Sequence, residues 1–452
     1  MTETIHDFAA IGVGPFNLGL ACLTEPVPEL NGIFLDENEG FDWHPGMLLE
    51  HATLQTPFMA DLVTMADPTN RFSFLNYAKQ QGHLYSFYIR EDFFVLRTEF
   101  NQYCQWAAAQ LPNIHFNRRV EWVDYDDEAA CYRVQAVDPR DGSRHQYLAL
   151  RLVLGTGTSP RWPEAVEPIA DSAVHSAHYL DHRDALQSRD VITVVGSGQS
   201  AAEVVYDLLQ DIDHHGYALH WITRSPRFMP LEYSKLTLEM TSPEYVDYFY
   251  ALPESQRDAL VAEQQTLYKG IDDGLIAEIR DTIYTKRTHH AIQVGLRTNS
   301  ALEAAERDPA TGRLALTFRH REQDRRYTHV TDGLVLATGY AHQLPGFIQG
   351  IASRLRWDDQ GRFDVRRDYS VDHDGDEVFV QNAELHTHGF ISPDLGMGSY
   401  RNACIINQMA GRECYPVEKR IAFQTFGVPE AGAPAEASAR DTTDHLNQRE
   451  AS

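Results

Sequence analysis

Asp7-Phe8-Ala9-Ala10-Ile11-Gly12-Val13-Gly14-Pro15-Phe16-Asn17 is an apolar run that breaks into a glycine loop. The figure returns in mid-chain as Val191-Ile192-Thr193-Val194-Val195-Gly196-Ser197-Gly198-Gln199-Ser200-Ala201. Around the first loop the pattern predicts a buried strand over Asp7–Gly12, a helix from Pro15 to Thr24 stopped by Pro26 and Pro28, and a strand over Gly32–Asp36. Around the second it predicts a strand over Val191–Val195, a helix over Gln199–Gln210, and a strand over Ala218–Thr223 with Arg224 at its end. Glycines at a strand-to-helix junction let backbone N–H groups close on a pyrophosphate at the positive end of a helix. Tight turns use glycines too, so the information lies in the context of strand before and helix after, present at both loops. Two such units, about 180 residues apart, point to two dinucleotides on one chain and electron transfer between them.

Working outward, Arg151-Leu152-Val153-Leu154-Gly155-Thr156-Gly157 and Gly333-Leu334-Val335-Leu336-Ala337-Thr338-Gly339-Tyr340 are strands ending in glycine turns that bracket the second unit. The expected fold is α/β: two Rossmann-like dinucleotide-binding domains, the second inserted in the first, plus a small, mostly helical substrate lobe. The expected boundaries are 1–160 for the first part of one domain, 161–335 for the inserted domain with a helical insertion around 233–287, and 336–426 for the return segment. The stretch 427–452 is rich in Ala, Glu, Pro, Ser and Thr and is expected to be disordered. Between the two units, Asn70–Leu111 reads as helical and aromatic-rich and Asn113–Leu154 as strands.

Composition narrows the class. A chain of 452 residues with 43% hydrophobic and 23% charged residues is that of an ordinary globular protein of two or three lobes. Its 39 basic and 65 acidic residues give a net charge of -26, which argues against nucleic acid or an anionic membrane as partner. No apolar run reaches the ~20 residues of a membrane span, and the polar start Met1–Asp7 carries no secretory signal, so a cytoplasmic location is expected. The five cysteines contain no C-x-x-C pair; neither a disulfide framework nor a metal site is expected, and the dithiol of flavin disulfide reductases is missing.

Asp36, 24 positions after Gly12, suits a ribose hydroxyl, whereas Arg224 at the matching point of the second unit suits a 2′-phosphate and so favours NADPH over NADH. Asn17 stands where a third glycine is usual, with Gly19 close behind.

More specific stretches accompany the loops: Trp43-His44-Pro45-Gly46-Met47, Leu54-Gln55-Thr56-Pro57-Phe58, Asp61-Leu62-Val63-Thr64, Phe74-Leu75-Asn76-Tyr77, Ala337-Thr338-Gly339-Tyr340, and His388-Gly389-Phe390 running to Asn402. On these, over residues 5–425, the sequence resembles the flavin-dependent N-hydroxylating monooxygenases of siderophore biosynthesis, which act on lysine, ornithine and diamines. The resemblance implies that NADPH reduces FAD, that the reduced flavin captures dioxygen, and that a peroxyflavin passes one oxygen atom to a primary amine. It implies FAD contacts from Gly12, Gly14, Pro15, Asn17, Leu18, Asp36, Trp43, His44, Met47 and Leu48, with Gln55 near the reactive edge of the flavin as the catalytic candidate. It implies NADPH contacts from Gly196, Gly198, Gln199, Ser200 and Arg224, and places Gly339, Tyr340, Asp394 and Leu395 along the nucleotides. It also implies a homo-oligomer, a dimer or tetramer.

One departure bears on the substrate. The amino-acid hydroxylases of this family carry a lysine, just before the Asp-Leu-Val-Thr segment, that pairs with the substrate α-carboxylate; this chain has Ala60. Two asparagine-bearing segments are likewise unmatched in Tyr233–Met240 and Thr266–Gly270. An uncompensated buried carboxylate costs several kcal/mol, so the expected substrate is a diamine, cadaverine or putrescine. Ala60, Leu238, Glu239 and Leu267 are the substrate-side candidates, and Glu239, Asp272 and Asp394 are candidates for the distal ammonium. The competing reading takes L-lysine or L-ornithine as substrate, with Lys235 or Lys269 replacing the missing lysine. Two further alternatives are another flavin monooxygenase acting on ketones or sulfides, and a non-catalytic flavoprotein serving as redox sensor or binding module.

Overall fold

The structure is a computed structural model and describes residues 4–428; nearly all of the stretch expected to be disordered lies outside them. Strand Phe8–Ile11 is buried along its whole length, as a strand covered on both faces must be. It is the centre of a five-stranded parallel sheet in the order Val378–Val380, Leu152–Leu154, Phe8–Ile11, Gly32–Leu35, Ile114–His115. The second parallel sheet runs Ala173–His175, Gly333–Ala337, Val191–Gly196, Ala218–Ile222, Gln293–Arg297. Strands Leu152–Leu154 and Gly333–Ala337, which look alike in sequence, thus lie in different sheets. The chain passes between the sheets twice, and the two passages pair antiparallel, Ser159 with Ala341 and Pro160 with Tyr340.

In each sheet the order of connection reverses beside the glycine loop: between Phe8–Ile11 and Leu152–Leu154 in one, and between Val191–Gly196 and Gly333–Ala337 in the other. Open parallel sheets bind ligands in the crevice at such a point. Both crevices are tight. Gly12 has φ +86°, and a Cβ on it would lie 2.5 Å from the Gly155 carbonyl oxygen. A Cβ on Gly196 would run into the carbonyl of Ala337.

Helix Pro15–Thr24 packs against Gly398–Ala410, with Leu18, Leu20, Ile405 and Ile406 fully buried in the larger core. Helix Gln199–His215 runs a turn and a half beyond the expected Gln210 because Ile212 still faces the core and Gly216, with φ +77°, ends the helix in the left-handed region. The aromatic stretch forms helices Phe74–Gln80, Leu84–Arg90 and Arg97–Ala108, the first capped by Ser73. Antiparallel sheets cover each unit: Arg119–Asp126, Cys131–Val137 and Arg144–Ala149 on the first, Ser300–Arg307, Leu314–His320 and Arg325–Thr331 on the second.

The 233–287 region forms five helices. Helix Pro243–Ala251, with Ser242 capping it and Pro243 in its first turn, packs Tyr245 and Phe249 against Phe390 in a small core of its own. Helix Asp273–His289 instead packs Leu275, Ile279 and Ile283 onto the second parallel sheet's core.

Candidate active site

Between the two glycine crevices lies a cleft of about 320 Å³. Trp43, His44, Met47, Leu54, Gln55 and Thr56 line it from the first unit, Gln199 and Ser200 from the second loop, and Tyr340 from the paired passages. Tyr233, Thr237, Leu238, Leu267 and Tyr268 of the helical region close one side, and Phe390, Pro393, Asp394 and Leu395 another. Eleven of the residues singled out in the sequence therefore share one wall system: Trp43, His44, Met47, Gln55, Gln199, Ser200, Leu238, Leu267, Tyr340, Asp394 and Leu395.

Local structure fixes their aim. Buried Asn101 accepts the Trp43 amide N–H at 2.9 Å and donates to Asp42, holding the turn in place. His44 sits at φ 54°, a left-handed conformation that starts the short turn Pro45–Met47. Gly46 follows because the chain there runs against the Ala177–His178 backbone, leaving no room for a Cβ. The His44 ring is edge-on to Tyr340 at 5.4 Å. Burial, assisted by the positive charge of Arg97, pushes the His44 imidazole down to about 4, so it is neutral at physiological pH.

Gln55, on strand Thr53–Pro57, donates to Gln199 at 3.4 Å, and Gln199 donates to Glu203 at 2.9 Å. Glu203 holds Arg97 with both oxygens at 2.8 and 2.7 Å, and Arg97 donates to the Met47 carbonyl at 3.0 Å. The second loop's helix is thereby tied to the Trp43–Met47 turn of the first unit through side chains that line or border the cleft. Arg97 and Glu203 escaped the sequence reading, and Thr56 and Tyr233 lie in stretches it singled out without giving either a role. Arg97 and Glu203 belong to no local pattern and are 106 residues apart.

Other candidates lie at the crevices. Gly12, Gly14 and Pro15 form the first loop; a Cβ on Gly14 would meet open space, and one on Gly198 only the Lys269 carbonyl oxygen at 3.6 Å, so both loops leave a cradle beside the helix start. Asp36 accepts the Val13 N–H at 2.6 Å. Asn17 is buried and does not line the cleft: its amide donates to the Gly12 carbonyl at 2.7 Å and accepts from Gln381 at 2.6 Å. Leu18 faces the core, and Leu48 and Gly339 do not line the cleft.

Ala60 is buried in a small adjoining space with Asp61 and Leu395. Asp61 accepts N–H bonds from Val63, Thr64 and Phe74, which gives the Asp-Leu-Val-Thr segment a turn-building role. Glu239 turns away to accept from Gln424, and Asp272 caps a helix through the Leu275 N–H. Neither Lys235 nor Lys269 lines the cleft.

Arg224 stands in a basic group with Arg161, Arg321 and Lys269, none of which forms an ion pair among the described residues. Burial of the guanidinium and repulsion from Arg161 and Arg321 pull Arg224 below its ordinary value, and burial with repulsion from Arg161 and Arg224 does the same to Lys269. A group of unpaired cations is a ready receptor for a phosphate. Among the described residues no cluster of His, Cys, Asp or Glu is arranged to hold a metal, and no helix is long and apolar enough to cross a membrane.

Residues 4–342 match the family model of L-lysine 6-monooxygenase/L-ornithine 5-monooxygenase, and the chain belongs to this family. It is 56% identical over 425 residues to a putrescine N-hydroxylase of Shewanella oneidensis, an alignment covering 94% of this chain and 84% of that one. The FAD-bound structure of DfoA, the desferrioxamine-pathway cadaverine monooxygenase of Erwinia amylovora, superposes with a TM-score of 0.92 at 57% identity, covering 94% of this chain and 99% of that one. The ornithine N-hydroxylase KtzI of Kutzneria sp. 744, solved with reduced FAD, NADP+ and L-ornithine, superposes at 0.83 with 28% identity, covering 90% of this chain and 99% of that one.

Proposed function

We propose that this chain N-hydroxylates an aliphatic diamine, cadaverine or putrescine, with FAD, NADPH and dioxygen, in the making of a hydroxamate siderophore. One observation carries the choice of diamine over amino acid. Arg97 is the sole lysine or arginine lining the cleft among the described residues, and Glu203 already holds it. An α-carboxylate would enter without a free cation to compensate it. The names and cofactors of the similar proteins support the same reading.

The residues present fit both dinucleotides. The open cradles at Gly14 and Gly198 face the loops, and the Thr56 hydroxyl is buried without a partner at the cleft wall. In this reading residues 1–160 and 336–426, with Gly12, Gly14, Pro15, Asp36, Trp43, His44 and Met47, hold FAD; residues 161–335, with Gly196, Gly198, Ser200 and Arg224, hold NADPH. Bound together, they would supply electron transfer and oxygen activation.

The protein's part is to bind, orient and keep water out. An amine attacks only as the free base, yet an alkylammonium has a pKa of about 10.4 in water. Burial keeps His44 neutral at this wall and disfavours the charged form of an amine placed there, which favours loss of its proton. Gln55 presents an amide beside that wall, able to donate to or accept from the reacting group. The aromatic and aliphatic walls, Trp43, Leu54, Tyr340 and Phe390 among them, exclude water from the reacting atoms.

The proposal extends to a cytoplasmic homo-oligomer, dimer or tetramer. The exposed Tyr85, Tyr88 and Ile89 on helix Leu84–Arg90 support contact with a second copy, and sedimentation of the purified protein tests it. The test of function is hydroxylamine formation with FAD and NADPH on cadaverine, putrescine, L-lysine and L-ornithine. Turnover confined to the diamines is expected; preference for either amino acid would sink the diamine reading.

A further inference from the structure

Two carboxylates line the cleft, Glu232 and Asp394. Glu232 is exposed and accepts the Thr266 hydroxyl. Asp394 belongs to the turn Asp394–Met397, and one of its oxygens accepts the Gly396 N–H at 2.9 Å. It forms no ion pair among the described residues. The nearest cation acting on it, Arg401, is itself bound to buried Glu384. A carboxylate set in a cleft wall with no cation of its own is an incomplete pair.

The turn that carries Asp394 also abuts Ala60. A Cβ built on Gly396 would lie 3.3 Å from the Asp394 carboxylate oxygen and 3.8 Å from the Ala60 Cβ. Ala60 leaves that neighbourhood without a cation, and Asp394 supplies an anion. The polarity of the cleft is therefore divided: the buried wall at His44 disfavours a charged amine, and the wall of Pro393–Leu395 presents the carboxylate of Asp394 with no cation of its own.

We propose that Asp394 receives the distal ammonium of the diamine and is the residue that selects a diamine over a monoamine or an amino acid. This rests on the diamine reading above. A linear diamine must enter with one amine neutral, to attack, and one charged, to anchor. Asp394 provides the anchor, and its carboxylate would repel the α-carboxylate of lysine or ornithine at the same place. Burial holds the Asp394 carboxyl above its ordinary value, as expected for a carboxylate awaiting a cation. Tyr233, whose hydroxyl feels the Asp394 charge from the helical side, closes the same subsite.

The test compares 1,5-diaminopentane with pentylamine as substrates of the FAD-loaded enzyme with NADPH, reading hydroxylamine, in wild type and Asp394→Asn. Asparagine keeps the size and the acceptor for the Gly396 N–H. The wild-type preference for the diamine in kcat/KM is expected to fall by about 100-fold in the variant, the size of one charged hydrogen bond lost, chiefly through KM. An unchanged preference overturns the assignment, and an unchanged preference with loss of bound flavin gives Asp394 to the cofactor instead. Should Asp394→Asn not fold, Asp394→Glu decides: a carboxylate reaching one methylene further should shift preference toward 1,4-diaminobutane, and no shift overturns the proposal. Failure of the diamine reading itself shows earlier, as wild-type enzyme that makes no hydroxylamine from any diamine.

Discussion

Arg97 and Glu203 grip each other through two hydrogen bonds across the line where the two dinucleotide units meet, one residue at the start of helix Arg97–Ala108, the other in the first turns of Gln199–His215. Glu203 is buried, so the pair is well shielded from water. Glu203→Gln leaves the guanidinium without its compensating charge and with one acceptor oxygen in place of two, and loss of the charged partner from a buried pair costs about 3–5 kcal/mol. Urea unfolding should show a loss near the lower figure. Flavin reduction by NADPH should also slow, since the single amide oxygen of the variant must serve Arg97 and Gln199 together and the chain of contacts from Arg97 to Gln55 loosens. A variant as stable as wild type would show that the pair merely decorates the boundary.

Asn17 stands where a third glycine is usual, and in the fold it pins the Gly12 carbonyl on one side and Gln381 of the return segment on the other. Asn17→Gly restores the fingerprint yet should destabilise by about 2 kcal/mol through the partners left unpaired. It should also lower the flavin retained on purification. Flavin absorbance per protein and a denaturation midpoint measure both effects; equal or better flavin retention would contradict the clamp.

What could be read in advance follows the range of the forces involved. The two strand–glycine loop–helix units are local patterns, apolar runs and glycines at fixed offsets, and they were legible; the strand orders with their switch points, and the turn built by Trp43–Met47, emerge only in the fold. Arg97–Glu203 and Asn17–Gln381 join residues that only the fold brings together, 106 and 364 positions apart. Asp394 was one of three candidates for the distal ammonium and could not be singled out in advance, because the return segment's path depends on helix Gly398–Ala410 docking against Pro15–Thr24. Glu239 looked equally suitable, yet it turns to Gln424.

Arg224 and its neighbours test the choice of nicotinamide cofactor. Arg224→Ala removes the cation at the end of strand Ala218–Ile222 and leaves Arg161, Arg321 and Lys269 in place. KM for NADPH should rise by about 10- to 100-fold, the value of one charged hydrogen bond, while KM for NADH stays near its starting point. Stopped-flow reduction of the flavin by each nucleotide reads this directly. An equal loss for both would mean that Arg224 supports the fold of the loop rather than a 2′-phosphate.

His44 gives the cleft a pH signature. Its folded pKa, about 4, lies below the ordinary 6.5, so the unfolded state binds the proton more readily. The stability contributed by neutral His44 is complete above about pH 6.5 and is lost as pH falls toward 4. Between pH 7 and 5 this amounts to about 2 kcal/mol. His44→Asn, a residue that tolerates the left-handed backbone at this position, should flatten the pH dependence of the urea midpoint by that amount. Parallel wild-type and variant curves would place the acid sensitivity elsewhere, with His329, also pushed down to about 4, as the next group to examine.

Ala60 is the last lever. It is 7% exposed and lies against the turn that carries Asp394. A lysine there would bring its ammonium into the space where the diamine's own ammonium is proposed to sit, and would pair with the same carboxylate. Ala60→Lys should therefore raise KM for cadaverine by at least about 30-fold, the loss of one charged contact, without creating useful turnover of L-lysine. The introduced cation is already neutralised by Asp394 and has nothing left for an α-carboxylate. Adding Asp394→Ser to Ala60→Lys frees that cation, and the double variant should be the one that begins to accept L-lysine. Thermal unfolding of both variants separates a site effect from simple overpacking, and hydroxylamine formation reads the preference. If Ala60→Lys alone turns over L-lysine, the Asp394 carboxylate does not govern this end of the cleft.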